Sequence, residues 1–268
     1  MSLRTFKALA YRELYLSKKK LKPLLVIFVI MSVLSVLAIL SFDYGNIGRI
    51  VSEIIIVNPN ESDPSLEAEI AGIKETVVLI AKLYPILLSG FAVATFLQSC
   101  EADEKGKWRY FFKSVPVTPT AKSAATFLLV VLMNVASFAV ASLFCLFMGS
   151  ISGIGVTYVD FALILAGIAA GDLFGVLLQI GIKLFHSLDK AGILLVSVAF
   201  AGIIGYNLID AFSKSPAQHI EAAENAGGIK EVLSAFSDWA IIAAPVIIAA
   251  SVAVGFIANV LLYRRREK

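Results

Sequence analysis

Six stretches of the chain run for about twenty residues with almost no charge, separated by polar segments. They fall at Pro23–Phe42, Val77–Leu97, Ala124–Met148, Phe161–Ile182, Ala191–Ile209 and Ala240–Tyr263. A bilayer core of about 30 Å takes about 20 residues of helix to cross. In hydrocarbon every backbone N–H and C=O has to find its partner within the segment, so these runs predict helices. Pro23 suits a first helical turn, where a missing N–H costs nothing. The pattern predicts an all-α, polytopic membrane protein whose single transmembrane domain takes in residues 1–268.

The residues ahead of the first run carry a different pattern. Leu3, Phe6, Ala10, Leu14, Ser17 and Leu21 recur at three- and four-residue steps, while Arg4, Lys7, Arg12 and Lys18 lie mostly away from that line. This predicts an amphipathic helix in the membrane interface, with its basic side chains towards anionic lipid headgroups. A cleavable signal peptide is not expected, because the basic stretch is long and no small-residue cleavage site closes the apolar run.

Composition sharpens this reading. Apolar types make up 59% of the 268 residues and charged types 16%, against about 45–50% and about 25% in soluble domains. The net charge of +3 suggests no nucleic-acid partner. The placement of charge is more telling. Eighteen lysines and arginines fall in the N-terminal segment, Gln98–Ser123, Lys183–Lys190 and the C-terminal tail, and four fall on the opposite side. That bias predicts both termini on the cytoplasmic side of a plasma membrane. The loops Asp43–Thr76 and Ala211–Trp239 then lie outside and are acidic. Cys100 and Cys145 fall near opposite faces and cannot bridge within one chain.

Within the spans, Lys82 and Asp172 are the clearest charges. Each costs roughly 2.5–3.5 kcal/mol at a span centre, so neither is expected to face lipid there. A Lys82–Asp172 pair is disfavoured, because the two depths differ by about 9 Å at ~1.5 Å per residue. Lys82 is expected to reach outward beside Tyr84 and Pro85. Asp172 is expected to line a polar cavity or to hydrogen-bond a neighbouring helix. Gly167, Gly171 and Gly175 repeat at four-residue steps, a face for close helix approach, and Gly202 and Gly205, three apart, are expected to serve helix packing on the fifth span. Asn134, Gln179 and Asn207 are candidate interhelical hydrogen bonders.

No catalytic constellation is evident. A phosphate loop needs Gly-x-x-x-x-Gly-Lys-Ser/Thr, whereas Gly106-Lys107 is followed by Trp108 and preceded at the required position by Glu101. The histidines His186 and His219 have no nearby His or Cys, and no metal-ligand spacing occurs. Neither ATP hydrolysis nor a resident cofactor is expected on this chain.

The loop after the second span is unusual. Glu101, Asp103 and Glu104 suit a helix N-terminus, Lys107 and Arg109 flank Trp108, and Tyr110, Phe111 and Phe112 complete four aromatics in five positions. Pro116 ends any helix there, and Thr120 or Ser123 is placed to cap the third span. Aromatics and arginine so arranged fit a knob for a cytoplasmic partner or a belt dipping into headgroups.

The stretch Glu101-x-Asp103-Glu104-Lys105-Gly106-Lys107-Trp108-x-Tyr110, closed by Ser114-x-Pro116-Val117-Thr118, resembles the corresponding segment of the membrane subunits of type-2 ABC transporters. There the turn is Ser-Leu-Pro-Val-like, and here Val115 replaces the leucine. The resemblance implies a cytoplasmic coupling helix between spans 2 and 3, docked on a separate ATP-binding cassette subunit that carries ATP and Mg. It implies that the N-terminal helix, with Leu3, Arg4, Phe6, Lys7 and Arg12, touches that subunit too. It also implies a second permease copy or homologue, and a gate between the fifth and sixth spans. Size and layout are most similar to small bacterial exporters of phenol-soluble modulin peptides and to lantibiotic-immunity permeases. The expected function is the permease of an exporter of amphipathic peptide, lipid-like molecule or drug. The alternatives are a secondary carrier and a lipid-acting membrane protein with no ATPase partner.

Overall fold

The computed structural model describes residues 3–43, 64–97, 101, 118–198, 200 and 229–267. Five long helices account for most of them: α1 (Leu3–Asp43), α2 (Pro64–Leu97), α3 (Pro119–Ser152), α4 (Tyr158–Phe185) and α5 (Ile229–Glu267). There is no strand among the described residues. Each of the five is long and apolar enough to cross a membrane. Residues 188–198 are helical and take in the first part of the predicted fifth span, and Leu188, Ala191 and Leu195 pack on Leu178 and Ile182 of α4. Residues 199 and 201–209, with Gly202, Gly205 and Asn207, lie outside the described residues, as does most of the expected outer gate.

Two helix boundaries correct the sequence reading. The expected interface helix and first span form one helix of 41 residues, with Pro23 inside it rather than in a first turn. Nothing from Leu3 to Lys22 breaks a helix, and neighbouring groups in a bundle offset the hydrogen bond that proline removes. The second correction is the start of α3. Thr118 is the N-cap, and its hydroxyl accepts from the Ala121 N–H at 3.3 Å with Pro119 in the first turn. Thr120 and Ser123 are inside the helix. At the other end, Gly153 at φ +70° closes α3 in the left-handed conformation that glycine adopts without strain.

Contact order along the helices fixes their directions. Ile86 of α2 lies against Gly167 of α4, Gly90 against Gly171, and Ala94 and Leu97 against Gly175. The numbering rises together, so α2 and α4 are parallel, with their backbones touching through glycine as the Gly167/Gly171/Gly175 face predicts. Gly90 is the partner the sequence reading did not name. On α5, Gly255 approaches Val176 and Asn259 reaches Gln179, while Lys183 meets Tyr263. α4 and α5 are therefore parallel as well.

The core has three levels. Val93, Phe96, Phe127, Val130 and Val176 pack at one end. Ile86, Ala141, Cys145, Ile164 and Ile168 fill the middle, and Ile39, Val78, Ala81, Phe144 and Met148 close the other end. Around them the surface is apolar: Leu25, Ile30, Val135, Ile193, Ile242 and Val246 are all exposed. An apolar exterior of this extent suits hydrocarbon rather than water.

Candidate functional site

The polar side chains inside this apolar bundle sit at three levels. At the end near Tyr158, Lys82 of α2 donates to Asp160 of α4, Nζ to Oδ2 at 3.0 Å. The two residues are 5% and 4% exposed. Asp160 is held by its own turn, because the Thr157 N–H donates to the same Oδ2 at 3.0 Å. One carboxylate thus ends a helix and neutralises a lysine. The pair borders a cavity of about 380 Å³ that Glu75, Thr76 and Thr157 also line. Lys82, expected to reach outward beside Tyr84 and Pro85, reaches towards the Tyr158 end of the bundle, where its target is a carboxylate. Asp160 was missed because the predicted span began at Phe161 and left it in a loop. Its signal is Thr157-x-x-Asp160, a helix-start pattern at the depth of Lys82.

In the middle of the bundle, Asn134 of α3 donates from Nδ2 to Asp172 Oδ2 at 2.6 Å. Asp172 is fully buried, and neither its Oδ1 nor Asn134 Oδ1 has a hydrogen-bond partner among the described residues. The expected hydrogen bond from Asp172 to a neighbouring helix is therefore present, and Lys82 is not its partner. On the α4–α5 side, Asn259 of α5 donates to Gln179 at 3.4 Å. We expect Asn134→Ala to lower stability by about 0.5–2 kcal/mol, the range for a polar contact between membrane helices. Chemical unfolding in detergent would measure it. An unchanged midpoint would mean that the bond carries nothing.

The third level is the end where basic residues gather. Lys122 of α3 and Lys183 of α4 are both buried and place their ammonium groups 4.7 and 4.2 Å from the Tyr263 ring centroid. Cations over an aromatic face are attracted by its quadrupole. Here also Lys20 of α1 donates to Glu101 at 2.9 Å, linking residues 81 positions apart. Glu101 is nearly buried, as is Glu13, whose carboxylate takes a hydrogen bond from Arg12 at 2.9 Å.

This changes the reading of the N-terminal face. The buried positions are Leu9, Glu13 and Ser17, while Tyr11, Leu14 and Tyr15 are exposed. Of the predicted apolar line, Ala10 packs on the core and Ser17 is buried, while Leu14 is exposed, so the line is split between the bundle and the exterior. Phe6 is half-buried and Lys7 exposed, and Leu3 and Arg4 lie on the first turn of α1. Asp103, Glu104, Lys107, Trp108, Arg109, Tyr110, Phe111, Phe112 and Pro116 lie outside the described residues, so the expected coupling helix is not placed.

Comparison with protein-family models, with curated proteins and with solved structures gives no match. The class rests on the fold itself. Five membrane-length apolar helices around buried polar pairs define a multi-pass helical membrane protein.

Proposed function

We propose that the chain is the permease subunit of an ABC exporter, with six crossings and both termini in the cytoplasm. ATP and Mg belong to a separate ATP-binding subunit, and a second permease copy or homologue completes the path. The observation that carries this reading is the Lys20–Glu101 ion pair. It ties the N-terminal helix to the first residue of the acidic–aromatic motif, the two elements that the resemblance assigns to ATPase contact. Glu101 then positions the root of the loop, and the aromatics Trp108, Tyr110 and Phe111 make the contact. The parallel run of α4 and α5 supports a further crossing between them, and Ala191–Ile209 is the apolar run available for it.

The test is co-purification from the native membrane followed by an ATPase assay. A soluble ATP-binding subunit should come with the chain. Trp108→Ala combined with Tyr110→Ala and Phe111→Ala should release it, and Lys20→Gln should weaken it several-fold. Purification of the chain alone, with no ATPase activity, would sink the exporter reading. A secondary carrier, which the Asn134–Asp172 pair favours, would then stand in its place.

A further inference from the structure

A groove of about 280 Å³ opens on the side of the bundle among α1, α2 and α3. Its α1 wall is Leu21, Leu24, Leu25 and Phe28. Its floor is cut by small residues, Ser89 and Ala92 on α2 and Ala136 and Ser137 on α3, which leave a gap that the α1 leucines border. The lining is almost wholly apolar, and the Ser89 hydroxyl is already bonded to the Ile86 carbonyl at 2.6 Å. Such a groove recognises hydrocarbon and offers almost nothing to a polar ligand.

Its direction is defined. Leu21, Ala92 and Met133 line the end near the Lys20–Glu101 pair, and Phe28, Pro85 and Val140 line the end at mid-bundle. Seven residues of helix from Leu21 to Phe28 rise about 10 Å, most of one leaflet's share of a ~30 Å core. Lys18 precedes Leu21 and Leu25 by three and seven residues, so it lies on the groove side of α1, about one turn beyond the mouth. Lys22 precedes Leu25 by three residues, and both lysines are exposed. The site thus has an apolar slot of one leaflet's depth with two cations at its headgroup end.

The geometry points to a site for an anionic phospholipid, one acyl chain lying in the α1–α2–α3 groove and the phosphate held by Lys18 and Lys22. This rests on the membrane character of the chain and not on an ATP-binding partner, so the exporter reading can fail without it. The lysines add affinity for negative headgroups in the leaflet they face, roughly five-fold each.

The experiment is native mass spectrometry of the delipidated full chain, titrated with dioctanoyl phosphatidylglycerol and, separately, dioctanoyl phosphatidylcholine. One phosphatidylglycerol should bind first and more tightly. Lys18→Gln with Lys22→Gln should remove that preference while leaving the elution volume unchanged. Ala136→Phe should abolish binding of both lipids, because Ala136 is exposed to the groove and a phenyl ring there fills it. Equal binding of the two lipids, or binding indifferent to Ala136→Phe, would overturn the site. So would a dimer that Ala136→Phe dissociates, since a second copy of the chain would then occupy the groove.

Discussion

Lys82→Met should lower the stability of the detergent-solubilised protein by about 3–5 kcal/mol, the cost of leaving a buried charge without its partner. Asp160 stays behind in an apolar wall with only the Thr157 N–H on its Oδ2. Asp160→Leu should cost a similar amount and slightly more, because it also removes the capping-box hydrogen bond from the Thr157 N–H, worth about 1 kcal/mol. The double variant Lys82→Met/Asp160→Leu should recover a large part of the loss. Burying two apolar groups needs no desolvation of charge, so the double change is expected to be milder than either single one. Apparent melting temperature read by size-exclusion chromatography after heating would follow all four proteins as one cycle. Additive losses would mean that the two side chains do not act as a pair.

Gly171→Ala should be comparably damaging for a different reason. A methyl group on Gly171 would overlap the carbonyl oxygen of Gly90, and a methyl on Gly90 would overlap that of Gly167. The obstacle in each case is backbone, which cannot rotate away, so α2 and α4 have to separate along their length. Overpacking costs about 1–3 kcal/mol where side chains can adjust, and this contact should sit at or above that upper bound. Gly175→Ala should cost less, since its nearest neighbour is the end of the Leu97 side chain at 2.7 Å, although the Ala94 Cα lies at 3.0 Å. Gly72→Ala is the control, with no atom within 4 Å of the added carbon. Monodisperse yield after membrane extraction would rank the three. If Gly171→Ala matched Gly72→Ala, the close approach of α2 and α4 would be wrong.

The presence of helices was legible because a run of about twenty uncharged residues has few other stable states in a bilayer. Their ends were not. Hydropathy marks where lipid begins, while α2 starts at Pro64 and α5 at Ile229, well before the predicted spans. Helix-forming polar residues carry a helix past the hydrocarbon without changing its backbone. The depth argument against a Lys82–Asp172 pair held because rise per residue is fixed. It did not supply the true partner, since Asp160 had been assigned to a loop. Asn134 and Gln179 were recognisable as helix-to-helix hydrogen bonders from their chemistry. Which helix each would meet depends on the order of neighbours around the bundle, and hydropathy carries no trace of that. The glycine face of α4 was legible from spacing alone, but Gly90 is isolated in its span and has no spacing to betray it.

The unbroken course of α1 through Pro23 has a mechanical consequence. At 1.5 Å per residue its 41 residues form a rod of about 60 Å. No joint of irregular chain divides the part tethered by Lys20 to Glu101 from the part that packs Ile39 at the opposite end. A torque applied to the N-terminal turns has only two outlets, tilting the whole rod or flexing it where proline has removed a rung of the hydrogen-bond ladder. That missing rung, from Pro23 back to the Lys19 carbonyl, lies at the mouth of the lateral groove beside Leu21. A lever that bends there would widen or pinch the slot, and so would convert a push on one side of the membrane into a change in grip on hydrocarbon within it.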